Sequence, residues 1–482
     1  MVFNSLEFLL FFPIVTAAYF AARMRGRQWV LVAASSLFYM AFVPAYVLVL
    51  YGAIGVDYVA ARLIEKSEGS RRTTWLVMSL AANLGALAFF KYGGFAAHNV
   101  NALLSLAGMR PSVPTIEVLL PIGLSFHTFQ GMSYVIEVYK RRYPAERSLL
   151  VYALYVMFYP QLVAGPIERP QTLLAQLKEE HPFDAARATR GLRRMLWGFF
   201  KKIVVADRLA LIVNAVYAAP AGYDGAVLAI ATAAFAIQIY ADFSGYSDIA
   251  IGAADVMGIR LSENFRQPYT AQSVRELWSR WHVTLMSWLR DYLYIPLGGN
   301  RVRPARRSFN VLVTFLASGL WHGASFTYVV WGGLNGVFVL IEARLWPKGL
   351  PRSASLFRGV ARTLVTFALV CVTWVFFRAP TLRDAGVVFT RLPTAFAALA
   401  RPSAVLAAIA RLAIDGKRLA LTAAAVALLL TLDTIAARRG TEPSALFGDL
   451  PRLPRWVVYW GLAGAILLLG AFARQQFLYF QF

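Results

Sequence analysis

Two histidines lie in apolar, tryptophan-rich stretches of the sequence. His282 is in WSRWHVTLMSWLRDYLYIPLGGNR (278–301), and His322 is in ASGLWHGASFTYVVWGGLNG (317–336). An ionisable side chain at membrane depth is costly, so such a residue is by default a candidate for a functional site. A neutral imidazole can take a proton from a hydroxyl group near neutral pH, as a general base does. The alternative is a core histidine bonded to a neighbouring carbonyl group.

A second polar group lies in the hydrophobic stretch QIYADFSGYSD (238–248). It contains two carboxylates, Asp242 and Asp248, and several hydroxyl groups. Residues six apart do not share one face of a helix, so these carboxylates need not form an acid and base pair. Buried carboxylates usually pair with arginine or cap helices, and we favour that structural interpretation. Ser244-Gly245 is expected to interrupt the helix.

Two proline-containing segments mark turns near apolar runs. Residues 159–170 hold three prolines and a glycine, which predicts a rigid re-entrant or terminal turn. Glu168 and Arg169 in this turn are expected to join a local ion network rather than to act in catalysis. Residues 121–127 predict a kinked helix in which His127 serves packing.

The remaining motifs exclude several kinds of site. The sequence has no nucleophile elbow, P-loop, Rossmann fingerprint or Cys/His spacing typical of a metal site. No carboxylate stands beside His282 or His322, so a zinc pair is not expected. His98 and His181 fall in predicted loops and carry no functional signal. The single cysteine, Cys371, excludes an internal disulfide framework.

Composition places the chain in a membrane. Of its 482 residues, 59% are hydrophobic and 15% are charged, with a mean hydropathy of +0.55. Soluble domains are about 45–50% apolar and about 25% charged. We expect an all-α polytopic membrane protein with about ten to twelve membrane helices, some of which merge, tilt or re-enter. The apolar runs are 6–22, 29–43, 46–61, 75–90, 118–138, 149–164, 226–240, 310–320, 328–343, 361–377, 419–435 and 456–472.

The chain has a net charge of +23, and its basic residues lie mainly between the apolar runs. Basic residues occupy every second turn early in the chain, which is the positive-inside pattern and predicts an extracytoplasmic N-terminus. The first apolar run lacks a signal-peptide cleavage site and is expected to remain as a membrane helix. We expect the positive charge mainly to set the orientation of the helices in the membrane, and it gives no reason to expect nucleic-acid binding. The same charge could also attract an anionic cytosolic donor. The residues expected in the cytoplasm are Arg23, Arg25, Arg27, Arg62, Lys66, Arg71, Arg72, Lys140, Arg141, Arg142, Arg147, Arg193, Arg194, Lys201, Lys202, Arg301, Arg303, Arg306 and Arg307.

We expect a single integral membrane domain over residues 1–482, because no linker, repeat or low-complexity tract divides the sequence. Residues 118–345 carry nearly all the polar motifs and form the expected catalytic core. Within this core, residues 274–292 predict one amphipathic helix that lies in the interface or re-enters the bilayer. Residues 297–300 would end it in a turn. Residues 381–418 predict further amphipathic or interfacial helices.

Several stretches closely resemble membrane-bound O-acyltransferases (MBOAT) of the alginate O-acetyltransferase type. The resemblance covers essentially the whole chain, and it implies the MBOAT fold with re-entrant and interfacial helices around a central tunnel. It also implies that His322, in the WHG motif, is catalytic and that the second family histidine corresponds to His282. The stretches are LVAGPIERP (162–170), YADFSGYSDIAIG (240–252), ENFRQPY (263–269), SRWHVTLMSWLRDYLYIPLGGNR (279–301), GLWHGASFTYVVWGGLNG (319–336), TWVFFRA (373–379), VFNSLEFLLFFPI (2–14) and FLYFQF (477–482). Candidates for lining the tunnel or contacting substrate are Trp321, Asp242, Ser244, Asp291, Tyr294 and Asn300.

In this family, an acyl group from a cytoplasmic thioester reaches an extracytoplasmic acceptor through the tunnel. The resemblance therefore implies a multi-pass enzyme of the bacterial inner membrane that uses acetyl-CoA or an acyl carrier as donor and binds neither cofactor nor metal. It implies O-acetylation of an extracytoplasmic polysaccharide by way of SGNH-type partner proteins outside the membrane. The polymer stays open between alginate, cellulose, peptidoglycan and another exopolysaccharide. Membrane lipids are expected partners, and nucleic acid is not.

Two alternatives stay open. The first is another acyl cargo, such as D-alanine passed from a carrier protein towards teichoic acid, which a neighbouring carrier-protein gene would favour. The second is a polysaccharide or lipid-linked sugar transporter without chemistry. Such a transporter would be expected to show inverted repeats or paired broken helices, and the sequence shows neither.

Overall fold

The computed structural model describes residues 1–114, 119–351, 353, 355–399, 401, 403, 407–408, 410–411, 415–471 and 477–478. Over these ranges the regular secondary structure is helical and includes no β-strand, which confirms the all-α prediction. Contacts divide the chain into two compact units. Unit 1 comprises Met1–Leu192 and Ala250–Ser262, and unit 2 comprises Arg193–Ile249 and Glu263–Phe482.

The α-helices are numbered in chain order. The first ten are α1 (Leu6–Ala21), α2 (Met24–Met40), α3 (Tyr46–Lys66), α4 (Gly69–Leu87), α5 (Gly93–Leu106), α6 (Leu124–Tyr139), α7 (Leu149–Met157), α8 (Ala185–Phe199), α9 (Asp207–Ala218) and α10 (Gly225–Val256). They are followed by α11 (Val274–Trp278), α12 (Val283–Leu289), α13 (Pro304–His322), α14 (Phe326–Leu345), α15 (Leu356–Arg378), α16 (Leu382–Leu399), α17 (Gly416–Arg439), α18 (Pro443–Gly448) and α19 (Arg452–Leu469). π-Helical segments occupy Ala88–Tyr92, Pro170–Leu174, Phe200–Ala206 and Arg290–Tyr294.

Six of the described helical stretches are long and apolar enough to cross a membrane. They are Tyr46–Lys66, Gly69–Leu106, Gly225–Val256, Phe326–Leu345, Leu356–Arg378 and Gly416–Arg439. Every predicted apolar run overlaps a helix, although residues 118 and 472, at the ends of two runs, lie outside the described residues. Six is fewer than the ten to twelve expected, because some runs fold as shorter helices: the run 149–164 yields only α7, with nine residues.

Large apolar side chains stay exposed along these helices. Leu48 on α3 is 73% exposed, Leu364 on α15 is 62% exposed, and Leu468 on α19 is 85% exposed. Extended apolar surface of this kind is rare on soluble monomers. In a bilayer the same side chains contact lipid tails, so the fold is that of a multi-pass membrane protein.

In unit 1, two local predictions need correction, the kinked helix at residues 121–127 and the loop at His98. Residues 121–127 do not form a kinked helix: α6 begins at Leu124, directly after Gly123, whose φ of 77° lies in the left-handed region that favours glycine. His127 is buried in α6, as expected for a packing residue. His98 lies in α5 rather than in a loop, because the apolar helix continues beyond Phe90. His181 does lie in a loop, with Nε2 2.9 Å from the carbonyl oxygen of Gln176.

The turn predicted for residues 159–170 is confirmed. α7 ends at Met157, and the chain stays non-helical until Pro170. Glu168 is buried in this turn and accepts hydrogen bonds from the hydroxyl groups of Thr172 and Ser262, each at 3.0 Å. These bonds connect the turn to Ser262 and give Glu168 a structural role. The partners in these two bonds are hydroxyl groups, and the ion network expected for Glu168 and Arg169 stays a prediction.

α10 runs unbroken from Gly225 to Val256, so the interruption expected at Ser244-Gly245 is wrong. Gly245 instead permits a close approach to α8 and to the π-helical segment after it. A Cβ atom added at Gly245 would lie 2.9 Å from the carbonyl oxygen of Gly198 and 3.2 Å from the amide nitrogen of Lys202. The missing side chain serves helix packing, which requires no break in the helix.

The single helix predicted over residues 274–292 is also wrong. The segment consists of α11, α12 and the π-helical segment Arg290–Tyr294. The break falls at His282, whose φ of 44° and ψ of 51° lie in the left-handed region. An L-residue in this conformation cannot continue a right-handed helix. The turn predicted at 297–300 is confirmed by the positive φ angles of Gly298 and Gly299.

In unit 2, α13 and α14 form a tightly packed hairpin. A Cβ atom at Gly319 would overlap with the carbonyl oxygen of Tyr328, and one at Gly332 would overlap with that of Phe315. The two glycines let the helix backbones touch, which fixes the end of α13. His322 is the last residue of that helix.

In unit 1, a buried carboxylate connects three helices. Asp57 on α3 accepts hydrogen bonds through Oδ1 from Ser79 Oγ and Asn83 Nδ2 on α4, each at 2.7 Å. Its other oxygen lies where a side chain at Gly131 on α6 would stand, because a Cβ atom at Gly131 would overlap with Oδ2. The aspartate therefore fills the space that the glycine leaves open.

Candidate active site

His282 is held by a polar contact in unit 2. Its side chain is 1% exposed, and its Nδ1 atom lies 3.0 Å from Oδ1 of Asn264. The hydroxyl group of Thr284 donates a hydrogen bond to the same oxygen, also at 3.0 Å. The imidazole thus has one nitrogen committed to an amide side chain, which defines the orientation of the ring.

The backbone around His282 is fixed by two further hydrogen bonds. The amide of Val283 donates to the carbonyl oxygen of Asn264 at 3.0 Å, and the amide of Arg266 donates to that of Arg280 at 2.9 Å. A non-glycine residue in the left-handed region costs about 1–3 kcal/mol and persists only where its surroundings enforce it. Paired backbone segments on both sides of His282 provide that enforcement.

Aromatic rings surround the His282 imidazole. The ring of Phe243 meets it edge-on, with centroids 4.7 Å apart, and the ring of Trp321 lies 5.9 Å away. His282 is outside the six candidate spans, and burial lowers its pKa from 6.5 to about 3. The imidazole is therefore neutral near pH 7, which is the state that a base requires.

His322 lies at the C-terminal end of α13, buried among aromatic side chains. Its ring centroid is 4.9 Å from that of Trp321, 5.1 Å from that of Trp331 and 5.3 Å from that of Phe377. Since Trp321 also contacts His282, one indole bridges the two histidines. The structure thus brings both predicted catalytic residues and Trp321 into one aromatic cluster.

The polar stretch of α10 is paired with cations of unit 2. Lys202 lies 2.6 Å from Asp242 and 2.8 Å from Asp207, and Lys201 lies 2.6 Å from Asp248. Lys201 also donates to the hydroxyl oxygen of Ser244 at 2.9 Å. These contacts match the structural interpretation of the two carboxylates, and they occupy the polar atoms of Asp242 and Ser244 that were candidates for lining a tunnel.

Arg194 extends this buried network. It lies 2.9 Å from Asp248, forms a bidentate pair with Glu263 at 2.9 and 3.0 Å, and lies 2.7 Å from Glu442. Arg194, Lys201 and Lys202 are all less than 9% exposed. They lie in α8 and in the π-helical segment after it, where carboxylates neutralise them, and their cytoplasmic placement stays a prediction.

Comparison with known proteins identifies the family. Residues 29–379 match the MBOAT, membrane-bound O-acyltransferase family. This chain belongs to the MBOAT family. It is accordingly a membrane acyltransferase.

Three relatives show what this chain is similar to. The chain is 39% identical to the "Probable alginate O-acetylase AlgI" of Pseudomonas aeruginosa over 80% of its own length and 73% of the relative. It is 32% identical to the "Peptidoglycan O-acetyltransferase" of Helicobacter pylori over 80% of its own length and 78% of the relative. It is 26% identical to the "Teichoic acid D-alanyltransferase" of Bacillus subtilis over 48% of its own length and 62% of the relative.

The other residues predicted to line the tunnel or contact substrate lie in a more exposed part of unit 2. Asp291 pairs with its neighbour Arg290, with Nε and Oδ1 2.8 Å apart. Tyr294 donates a hydrogen bond to Asn300 at 2.7 Å. The structure thus joins Tyr294 to Asn300, and it places Asp291, Tyr294 and Asn300 in partly or fully exposed positions, unlike the buried histidines.

Sequence reasoning missed Asn264 as a site residue. It lies within the motif ENFRQPY, and an asparagine in a non-periodic segment gives no signal of burial. The motif itself could have identified it, since Asn264 is the one polar uncharged residue between Glu263 and two aromatic or basic neighbours. Over the residues that the structure describes, no group of three or more His, Cys, Asp or Glu side chains could hold a metal ion.

Proposed function

We propose that this chain transfers an acetyl group from a cytoplasmic thioester donor, across or within the inner membrane, for O-acetylation of an extracytoplasmic polysaccharide such as alginate. The observation that carries the proposal is the pair of buried histidines that share contacts with Trp321. The names of the relatives, an alginate O-acetylase and a peptidoglycan O-acetyltransferase, support acetyl as the cargo and a polysaccharide as the final acceptor.

The proposed chemistry is transfer of an acyl group from sulfur to oxygen. The imidazole of His322 takes the proton of the acceptor hydroxyl as the oxygen attacks the thioester carbonyl carbon. The carbon–sulfur bond then breaks, the ester forms, and the thiolate takes up a proton. His282, neutral and oriented, acts beside it as a second base or as a hydrogen-bond partner of the donor. The aromatic lining of His322 keeps bulk water from hydrolysing the thioester.

We further propose that residues 1–482 work as a single membrane domain with a catalytic core over about residues 118–345. The positions of His282, Asn264 and His322 in the sequence support this core. The positive-inside pattern supports an extracytoplasmic N-terminus, with the donor, acetyl-CoA or an acylated carrier, arriving from the cytoplasm. SGNH-type proteins outside the membrane would receive the acetyl group, lipids would surround the helices, and no cofactor, metal or nucleic acid would be bound.

The acetyl content of the host's surface polysaccharides tests the function. Deletion of the gene should remove base-labile acetate from one polymer, and the intact chain should restore it. A His322→Ala variant should not restore it, whereas His98→Ala, a change at an exposed helical position, should. Unchanged acetyl content after deletion would refute the proposal.

A second candidate is transfer of D-alanine from a carrier protein, which the similarity to a teichoic acid D-alanyltransferase supports. Chemical analysis of the released acid separates the two cargoes. Loss of D-alanine with unchanged acetate would replace the first proposal by the second. Loss of the polymer itself from the surface, with no change in its acylation, would instead indicate a transporter.

A further inference from the structure

Asn264 is fully buried, and its side-chain oxygen, its side-chain nitrogen and its backbone oxygen all make polar contacts. Its Oδ1 atom lies 3.0 Å from Nδ1 of His282 and 3.0 Å from the hydroxyl of Thr284, and its Nδ2 atom donates to Ser247 Oγ at 3.3 Å. Its backbone oxygen accepts from the amide of Val283 at 3.0 Å. A single residue thus contacts the imidazole, the backbone after it and α10.

These contacts determine which nitrogen of His282 carries the proton. The amide nitrogen of Asn264 is directed to Ser247, so its oxygen faces the imidazole. An oxygen in that place accepts a hydrogen bond, and Nδ1 must therefore be the protonated nitrogen. The lone pair then lies on Nε2, at the opposite side of the ring.

We infer that Asn264 is a positioning residue that holds His282 in the tautomer with its basic nitrogen at Nε2. The inference rests on the proposed function, because it concerns the same acyl transfer. It assigns Asn264 a task that the resemblance does not: the amide sets the protonation pattern and ring orientation of a histidine that acts on donor or acceptor. Amide or carboxylate partners orient histidines in this way in hydrolases of unrelated fold.

The surroundings of Asn264 make it a rigid support. Its neighbour Glu263 is locked by the bidentate pair with Arg194, and Arg194 is in turn held by Asp248 on α10. The Asn264 side chain also bonds to α10, through Ser247. Polar contacts therefore fix Asn264 through its neighbour Glu263 and through its own buried side chain, as a site with defined geometry requires.

A merely structural role predicts a different pattern of losses. Asn264→Ala would then reduce stability and leave the turnover of the folded fraction unchanged. A positioning role predicts a lower kcat in the folded fraction with little change in the donor KM, because ring orientation matters in the transition state. Thr284→Val is the matched control, since it removes the other hydrogen bond to the same oxygen and leaves the His282 contact in place.

The experiment compares purified Asn264→Ala, Asn264→Asp, Thr284→Val and His282→Ala chains in detergent, by melting temperature and by transfer from a radiolabelled acetyl thioester. We expect Asn264→Ala to lower kcat at least about tenfold, a part of the 10²–10⁴-fold contribution of a base, and Thr284→Val to change it only a few-fold. Asn264→Asp keeps an acceptor. It should retain more activity than Asn264→Ala and should move the acidic limb of the pH–rate profile to higher pH, since a carboxylate raises the pKa of a neighbouring imidazole.

The outcomes separate this inference from the proposed function. Normal kcat in Asn264→Ala together with an inactive His282→Ala chain would overturn the positioning role and leave the proposed function standing. Full activity in His282→Ala would overturn both the role of His282 and this inference. If Asn264→Ala fails to fold, Asn264→Asp decides: a folded Asn264→Asp chain with no activity, or with an unmoved pH profile, would overturn the inference.

Discussion

The Nζ atom of Lys202 lies 2.6 Å from Oδ1 of Asp242, and both side chains are almost completely buried in unit 2. The other oxygen of Asp242 accepts a hydrogen bond from the amide of Leu478 at 2.8 Å, and the Lys202 ammonium lies 4.1 Å from the centre of the Phe477 ring. The pair therefore joins α10, the π-helical segment after α8 and residues 477–478. The pair holds these three segments together, and each side chain neutralises the charge of the other.

Loss of Lys202 should destabilise the protein strongly. Lys202→Met leaves Asp242 and Asp207 buried without their cation, and breaking a buried pair costs about 3–5 kcal/mol. Arg411→Met is the control, because the Arg411–Asp224 pair is 63% and 43% exposed and is expected to contribute at most about 1 kcal/mol. Thermal unfolding in detergent measures both. Equal melting temperatures for the two variants would contradict the anchoring role.

His322→Ala should abolish acyl transfer while the amount of membrane-inserted protein stays near normal. Removal of a general base costs about 10²–10⁴-fold in rate. Polymer acetylation in cells and protein level by immunoblot are the measurements, with His98→Ala as the control. A His322→Ala chain that acetylates at the normal rate would exclude His322 as the catalytic base.

The α13–α14 contact should tolerate a methyl group at one glycine and not at another. Gly319→Ala places a Cβ atom against the carbonyl oxygen of Tyr328, and overpacking of this kind costs about 1–3 kcal/mol. At Gly333 the nearest atom is 3.6 Å away, so Gly333→Ala should be neutral or stabilising by up to about 1 kcal/mol. Because Gly319 is one turn before His322, its variant should also lose activity. Equal melting temperatures and equal transfer rates for Gly319→Ala and Gly333→Ala would contradict this prediction.

The basic residues at the start of α13 should attract the donor. Arg303, Arg306 and Arg307 are exposed there, and a phosphate-bearing thioester is attracted by positive charge with strong dependence on salt. Joint replacement of the three by glutamine should raise the donor KM at low salt and leave kcat largely unchanged. Correct insertion has to be verified first, because these charges also influence topology. An unchanged donor KM would mean that the three arginines influence only the membrane topology.

The N-terminus should be extracytoplasmic. With Cys371 replaced by alanine, a single cysteine at Ala45 should react with a membrane-impermeant maleimide added to intact spheroplasts, and one at Ser67 should react only after lysis. The two positions flank α3, which is long and apolar enough to cross the membrane. Labelling of Ser67 from outside would reverse the topology.

The sequence predicted the two candidate catalytic histidines better than the residues that hold them in place. His282 and His322 stood out because an imidazole is unusual in an apolar stretch, and the structure places them around Trp321. The helices also follow from hydrophobicity, which is a local property. Asn264 could not be identified in this way, since its importance depends on a partner 18 residues away and not on any periodic pattern.

The errors have a common physical cause. The helical amphipathicity of residues 274–292 predicts a helix through His282. Two tertiary hydrogen bonds, from Val283 to Asn264 and from Arg266 to Arg280, instead hold His282 in the left-handed region. A break was expected at Gly245 because glycine has a low helix propensity, yet close helix packing uses that glycine. In each case a distant contact outweighs the local preference.

The space shared by Asp57 and Gly131 has an evolutionary consequence. One oxygen of Asp57 occupies the volume of a side chain at position 131, and the other satisfies Ser79 and Asn83. A larger residue at 131 is therefore compatible with the fold only together with a smaller one at 57, and that change would remove the carboxylate acceptor that Ser79 and Asn83 share. Homologues should thus vary at these positions in concert, and single replacements along such a lineage would pass through unfit intermediates.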